Sequence, residues 1–220
     1  MIDSAVIDYF ANEMVLVKVD AEADTALAKS FNISGYPTLV LTDKDGEEID
    51  RIVGYLPPDE FIQKLNDYRN GIGTLEDLLG RAETETDREL YFEIADKYKY
   101  RGGAEEAKTW FQRVIDEGEP FDSLSGESRM SLADLHRRAK EYIVAEKAFT
   151  TIMDDFKGQY FAEAAEIWRA IVYRQSGDTA TSIQAFRDFL VHYPQSEDTS
   201  YAQSQIEKLT KKEEPESSTE

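Results

Sequence analysis

Cysteine is absent from all 220 residues, which excludes disulfides, thiolate metal sites and thiol nucleophiles and leaves no thiol to report on the redox compartment. Histidine is nearly absent too: only His136 and His192 can act as imidazole ligands or bases. They stand far apart with no ligand partner at motif spacing, so both read as surface or packing residues. Basic residues are scarce, with 25 Lys+Arg against 45 Asp+Glu and a net charge of -20. That balance disfavours nonspecific binding to nucleic acid or an anionic membrane, and partners, if they are proteins, are expected to carry basic patches. Solubility alone is the competing explanation of the acidity. Long apolar runs are missing, so membrane insertion is not expected. The opening Met1-Ile2-Asp3-Ser4-Ala5 has neither the basic start nor the apolar stretch of a signal peptide. As written, the chain is expected in the cytoplasm.

What is present divides in two. Over residues 1–70, helix-like and strand-like patterns alternate. Val6, Ile7 and Phe10 have helical spacing over 4–12, and Val15-Leu16-Val17-Lys18-Val19 is an apolar, largely β-branched run that reads as a buried strand. A second helix is predicted over 23–31. Gly35-Tyr36-Pro37-Thr38 then breaks the pattern and leads into a strand at 39–41. Asp43-Lys44-Asp45-Gly46 supplies a tight turn, and a returning strand follows at 49–53. The last helix of this part starts at Pro57-Pro58-Asp59 and stops at Gly71.

From residue 74 to 211 only helical patterns remain, and they repeat. Ala95, Ala133 and Ala170 are each followed sixteen positions later by Phe111, Phe149 and Phe186, a period of 38 and then 37 residues. A small residue recurs twelve positions after each alanine, as Ala107, Ala145 and Ser182, where two antiparallel helices must approach closely. Short turns are predicted at Arg101-Gly102-Gly103, Lys140-Glu141 and Ser176-Gly177-Asp178. Three helix pairs and a closing helix at 199–211 follow from this. The tail, 212–220, is polar and charged and is expected to be disordered.

The order Val17-Lys18-Val19-Asp20, then Ala26-Leu27-Ala28-Lys29-Ser30-Phe31-Asn32-Ile33-Ser34-Gly35-Tyr36-Pro37-Thr38-Leu39, closing on Val53-Gly54-Tyr55, resembles the later part of a thioredoxin-like domain. The resemblance implies a cis bond at Tyr36-Pro37 and a polypeptide-holding role for that loop. It covers 1–70 and lacks the family's two earlier strands, the helix between them and the Cys-x-x-Cys motif. The missing central strand would leave backbone groups unpaired at about 1–3 kcal/mol for each buried orphan. The chain is therefore expected to start within a longer protein, to close its remaining strands against each other, or to take the missing edge from a partner. If a signal peptide preceded the missing strands, the setting would be periplasmic or otherwise extracytoplasmic.

The helical part resembles tetratricopeptide (TPR) repeats, with a period longer than the common 34 residues and alanine where the first helix usually has glycine. Phe189-Leu190-Val191-His192-Tyr193-Pro194-Gln195-Ser196 resembles repeats of bacterial envelope-assembly proteins. The tetratricopeptide resemblance implies that the first helix of each pair lines a groove that binds partners. Its polar positions here include Asp96, Lys99, Asp134, Arg137, Arg138 and Arg174, suited to an acidic peptide or a terminal carboxylate. An ordinary charged helix surface is the competing reading.

No catalytic, cofactor or metal residues are predicted. Asp43-Lys44-Asp45-Gly46-Glu47-Glu48 lacks the ligand spacing of a calcium loop, and no phosphate loop or acyl-transfer triad is present. The expected fold is a partial α/β thioredoxin-like unit followed by an all-α TPR-like helical array. The expected function is a noncatalytic module that binds protein or peptide. The rival is an N-terminally truncated piece of a thiol-disulfide oxidoreductase.

Overall fold

The computed structural model describes residues 3–213, and among them the chain forms eleven helices and one two-stranded sheet. Two compact units divide inside the sixth helix, one ending at Trp110 and the other starting at Phe111.

In the first unit, α1 (Ser4–Glu13) starts where the Asp3 carboxylate accepts from the Ala5 amide, and α2 (Thr25–Ser30) where Asp24 accepts from Leu27. Strands β1 (Thr38–Thr42) and β2 (Glu48–Val53) pair antiparallel, with Thr38 opposite Val53 and Leu41 opposite Asp50. Their turn is built by Asp43, whose carboxylate accepts from the Asp45 and Glu47 amides, while Gly46 takes φ 88°. α3 (Pro58–Arg69) opens with proline at its first position, where no backbone donor is lost, and its chain leaves through Gly71 at φ 73°. Leu41, Ile52, Leu65 and Tyr68 form the buried core here, with Phe10, Met14, Leu39 and Phe61 packed against it. Helices α1 and α3 thus cover one face of the hairpin.

Residues 15–19 do not form the predicted strand. Val15, Leu16, Val17 and Val19 are 91%, 57%, 73% and 42% exposed, and the segment carries no ladder. β-branched side chains favour extended backbone, but a strand also needs a neighbour to satisfy its N–H and C=O groups. Among the described residues β1 pairs only with β2, so the segment has not closed up against it.

The unit continues through α4 (Leu75–Arg81), α5 (Arg88–Arg101) and the first part of α6 (Ala104–Asp116). Compactness therefore groups α4 and α5 with the hairpin, although the change from strand to helical patterning falls at 70–74. The charged groups described below account for this grouping.

The second unit runs through α7 (Ser123–Arg138), α8 (Tyr142–Asp155), α9 (Tyr160–Ser176), α10 (Thr179–His192) and α11 (Thr199–Glu213). Each of these helices packs on the next, and α7 also packs on α9, as stacked helix pairs do. Ala133, Ala145, Phe149, Ile152, Phe156, Ala165 and Val172 form one buried cluster, and Ala170, Ile183, Phe186, Phe189 and Ala202 contribute to another. The small residues let helix backbones approach, and the phenylalanines fill the space that remains. Ser182 fits because its hydroxyl donates to the Ala170 carbonyl at 2.9 Å. Turns fall where predicted: Gly102 and Gly177 end α5 and α9 at φ 86° and 90°, and Lys140 separates α7 from α8 at φ 62°. α11 extends to Glu213, past the expected helix end at Lys211. The rest of the predicted disordered tail lies outside the described residues.

Candidate functional site

Tyr36 and Pro37 sit at the open end of the β1–β2 hairpin, and their peptide bond is cis. The Gly54 amide donates to the Pro37 carbonyl at 2.8 Å, and the Thr38 hydroxyl donates back to the Gly35 carbonyl. That pairing continues the hairpin register outward, so Tyr36 and Tyr55 flank the loop, 69% and 79% exposed. Two large aromatic faces held by a fixed backbone can stack on an extended chain.

The six predicted polar positions on first helices are already paired. Lys99 bridges Asp96 at 2.5 Å and lies over the Tyr100 ring. Asp134 accepts from both Arg137 and Arg138. Arg137 also donates to Gln175 of the next first helix at 3.0 Å and lies 5.0 Å from the Trp168 ring centre, while Arg174 donates to Gln205. Lys99, Arg137 and Arg174 each stand four residues after a repeat alanine, so a cation recurs with the repeat. In α7 this cation reaches α9, and in α9 it reaches the closing helix α11. Tyr36, Pro37, Asp96 and Lys99 belong to the first unit, and Asp134, Arg137, Arg138 and Arg174 to the second. Both histidines meet carboxylates, His136 on Glu141 and His192 on the buried Glu166 at 2.8 Å. No group of three or more His, Cys, Asp or Glu among the described residues is placed to hold a metal ion, and no helix among them is long and apolar enough to cross a membrane.

A second set of residues escaped the sequence reading. The Asp50 side chain is fully buried in β2 and accepts from Lys97 at 2.9 Å, from the Leu75 amide at 2.9 Å and from Arg101 at 3.2 Å. Between Leu41 and Thr42 the register slips, leaving Ile49 without an opposite residue. Glu48 then meets the guanidinium of Arg51 three positions on. Arg51 also donates to the Tyr100 carbonyl, and Arg101 donates to the Ile49 carbonyl at 3.0 Å. The last carbonyls of a helix have no partner within it and carry partial negative charge, so Arg51 is a suitable cap for α5. The signal was present as Asp50-Arg51 inside an apolar strand and Lys97 and Arg101 one helical turn apart.

Lys97 also donates to the Tyr68 hydroxyl and lies 4.6 Å from its ring centre. Burial pushes the Tyr68 phenol well above its usual range, and the Asp50 charge adds to this. Burial holds the Lys97 ammonium below its ordinary value, against the pull of Asp50. Burial also raises Tyr173 and Tyr193. Because the folded value of Tyr68 lies above the unfolded one, its contribution to stability is complete below pH about 10 and is lost as the pH rises through the folded value. An alkaline titration followed by tyrosinate absorbance should resolve an early and a late phase, with Tyr68 in the late one. Tyr68→Phe should remove amplitude only from the late phase; loss from the early phase would contradict this placement.

Residues 4–69 match the family model described as a thioredoxin-like domain. A thioredoxin of Chlamydia caviae is 35% identical over 57 residues, 26% of this chain and 55% of that protein. Thioredoxins of Listeria monocytogenes and Listeria innocua are each 36% identical over 53 residues, 24% of this chain and 50% of theirs. The N-terminal part is thus thioredoxin-like, with a helical array after it. The chain spans about half the length of the curated relatives it matches.

Proposed function

We propose that this chain is a noncatalytic protein-interaction module, in which the thioredoxin-like loop and a TPR scaffold hold polypeptide. The carrying observation is the repeat register: Ala95, Ala107, Phe111, Ala133, Ala145, Phe149, Ala170, Ser182 and Phe186 are all fully buried. Burial at these positions supports helix pairs whose other faces are open to partners. The exposed Tyr36 and Tyr55 supply a second contact surface, and the net charge of -20 favours basic partners.

The test is a titration with fluorescently labelled, reduced and carboxamidomethylated ribonuclease A, a basic unfolded polypeptide whose capped thiols cannot exchange. Saturable binding should survive about 0.5 M salt, where screening removes loose electrostatic attraction. Tyr36→Ala should weaken it by about tenfold, as loss of an aromatic anchor does. Its melting temperature should stay unchanged, because the side chain is mostly exposed. Binding that is absent, or that vanishes with salt, would sink the proposal.

The thioredoxin matches favour a second reading, in which these residues belong to a thiol-disulfide oxidoreductase whose cysteines lie outside this sequence. The intact mass of the protein from its native source separates the two. A mass near 25.1 kDa supports the cysteine-free module. A larger protein containing a Cys-x-x-Cys pair supports the oxidoreductase.

A further inference from the structure

Asn32 ends the α2 turn and begins the loop that carries Tyr36 and Pro37. Its backbone takes φ 51°, a left-handed conformation that asparagine tolerates better than most residues. From there its side-chain amide donates to the Arg101 carbonyl at 3.0 Å, across a sequence separation of 69 residues. Arg101 is the last residue of α5, so this carbonyl is one that the helix leaves without a partner. The next residue, Gly102, takes φ 86°, and a Cβ built there would lie 2.8 Å from the Asn32 side-chain carbon. Glycine is thus required twice at this position, by backbone conformation and by the approach of Asn32. The far end of the loop is held through Gly54, the residue after the strand whose Arg51 caps the Tyr100 carbonyl of the same helix.

We infer that Asn32 and Gly102 form a positioning joint, through which the α5–α6 turn fixes the stem of the Tyr36-Pro37 loop. Neither residue touches the bound polypeptide; each acts through the loop. The functional part of this inference rests on the polypeptide-binding reading, while the joint itself is measurable without a ligand.

Hydrogen exchange of the full chain reads the joint directly. Asn32→Gly tolerates the left-handed backbone and removes the side-chain donor. It should accelerate exchange of the amides in 33–38 by about tenfold, the scale of one hydrogen bond. Gly102→Ala should do the same by pushing Asn32 away. The bond can be lost only once, so the double variant should accelerate loop exchange little more than either single variant, a non-additivity that independent sites would not show. Unchanged loop exchange in Asn32→Gly, or effects that simply add in the double variant, would overturn the joint.

The unfolded ribonuclease probe supplies the functional arm, where Asn32→Gly should weaken binding several-fold. Wild-type protein that binds no probe, with loop exchange still following the joint, sinks the polypeptide-binding reading alone. Binding by the wild type with unaltered loop exchange in the variants sinks the joint alone.

Discussion

Asp50→Ala is expected to destabilise the N-terminal unit by about 3–5 kcal/mol, the cost of leaving a buried charge without its partner. The carboxylate is fully buried and is the common acceptor for Lys97, Arg101 and the Leu75 amide. Removing it strands two cations whose side chains are only 13% and 20% exposed, and it unties the start of α4 from the hairpin. Asp50→Asn keeps the shape and loses the charge, so it should also destabilise, by less than alanine. Urea unfolding with exchange measured in β2 and α5 gives the answer. A loss below about 1 kcal/mol would mean that the cations turn out to solvent, as surface ion pairs do.

Phe149→Ala is expected to cost about 3–5 kcal/mol, from lost apolar burial and from the cavity left behind. Phe149 is fully buried, packed in a cluster with Ala133, Ala145, Ile152, Phe156, Ala165 and Val172. Several of those neighbours are alanines with no side-chain length to spare, so the hole has little to close it. Ile143→Ser, at an 87% exposed position on the same helix, is the control and should stay within about 0.5 kcal/mol. Comparable losses for the two substitutions would contradict the repeat register.

That register was legible because it is written in side-chain volume. A small residue at a fixed distance from a phenylalanine, three times over, has few other uses, and all nine positions are buried. The hairpin was legible for a local reason, since Asp43 and Gly46 define the turn and the strands flank it. Residues 15–19 misled because their composition speaks for extended backbone and says nothing of whether a neighbouring strand exists. Asp50 was passed over for a related reason. A carboxylate in an alternating strand normally faces water, and only the fold brings Lys97 and Arg101 to it from another element. The sequence showed cations at Lys99, Arg137 and Arg174 but not what holds them. Pairing with Asp96, Asp134, Gln175 and Gln205 is a property of neighbouring helix turns and stacked helices.

The proposed binding of polypeptide by folded surfaces, without thiol chemistry, has a direct test. Exchange mass spectrometry on the full chain, with and without the carboxamidomethylated ribonuclease, tests it most directly. Slowed exchange in the Tyr36-Pro37 loop and along the first helices α7 and α9 is the predicted result. An exchange pattern that the probe leaves unchanged, or protection confined to residues 15–19, would contradict it.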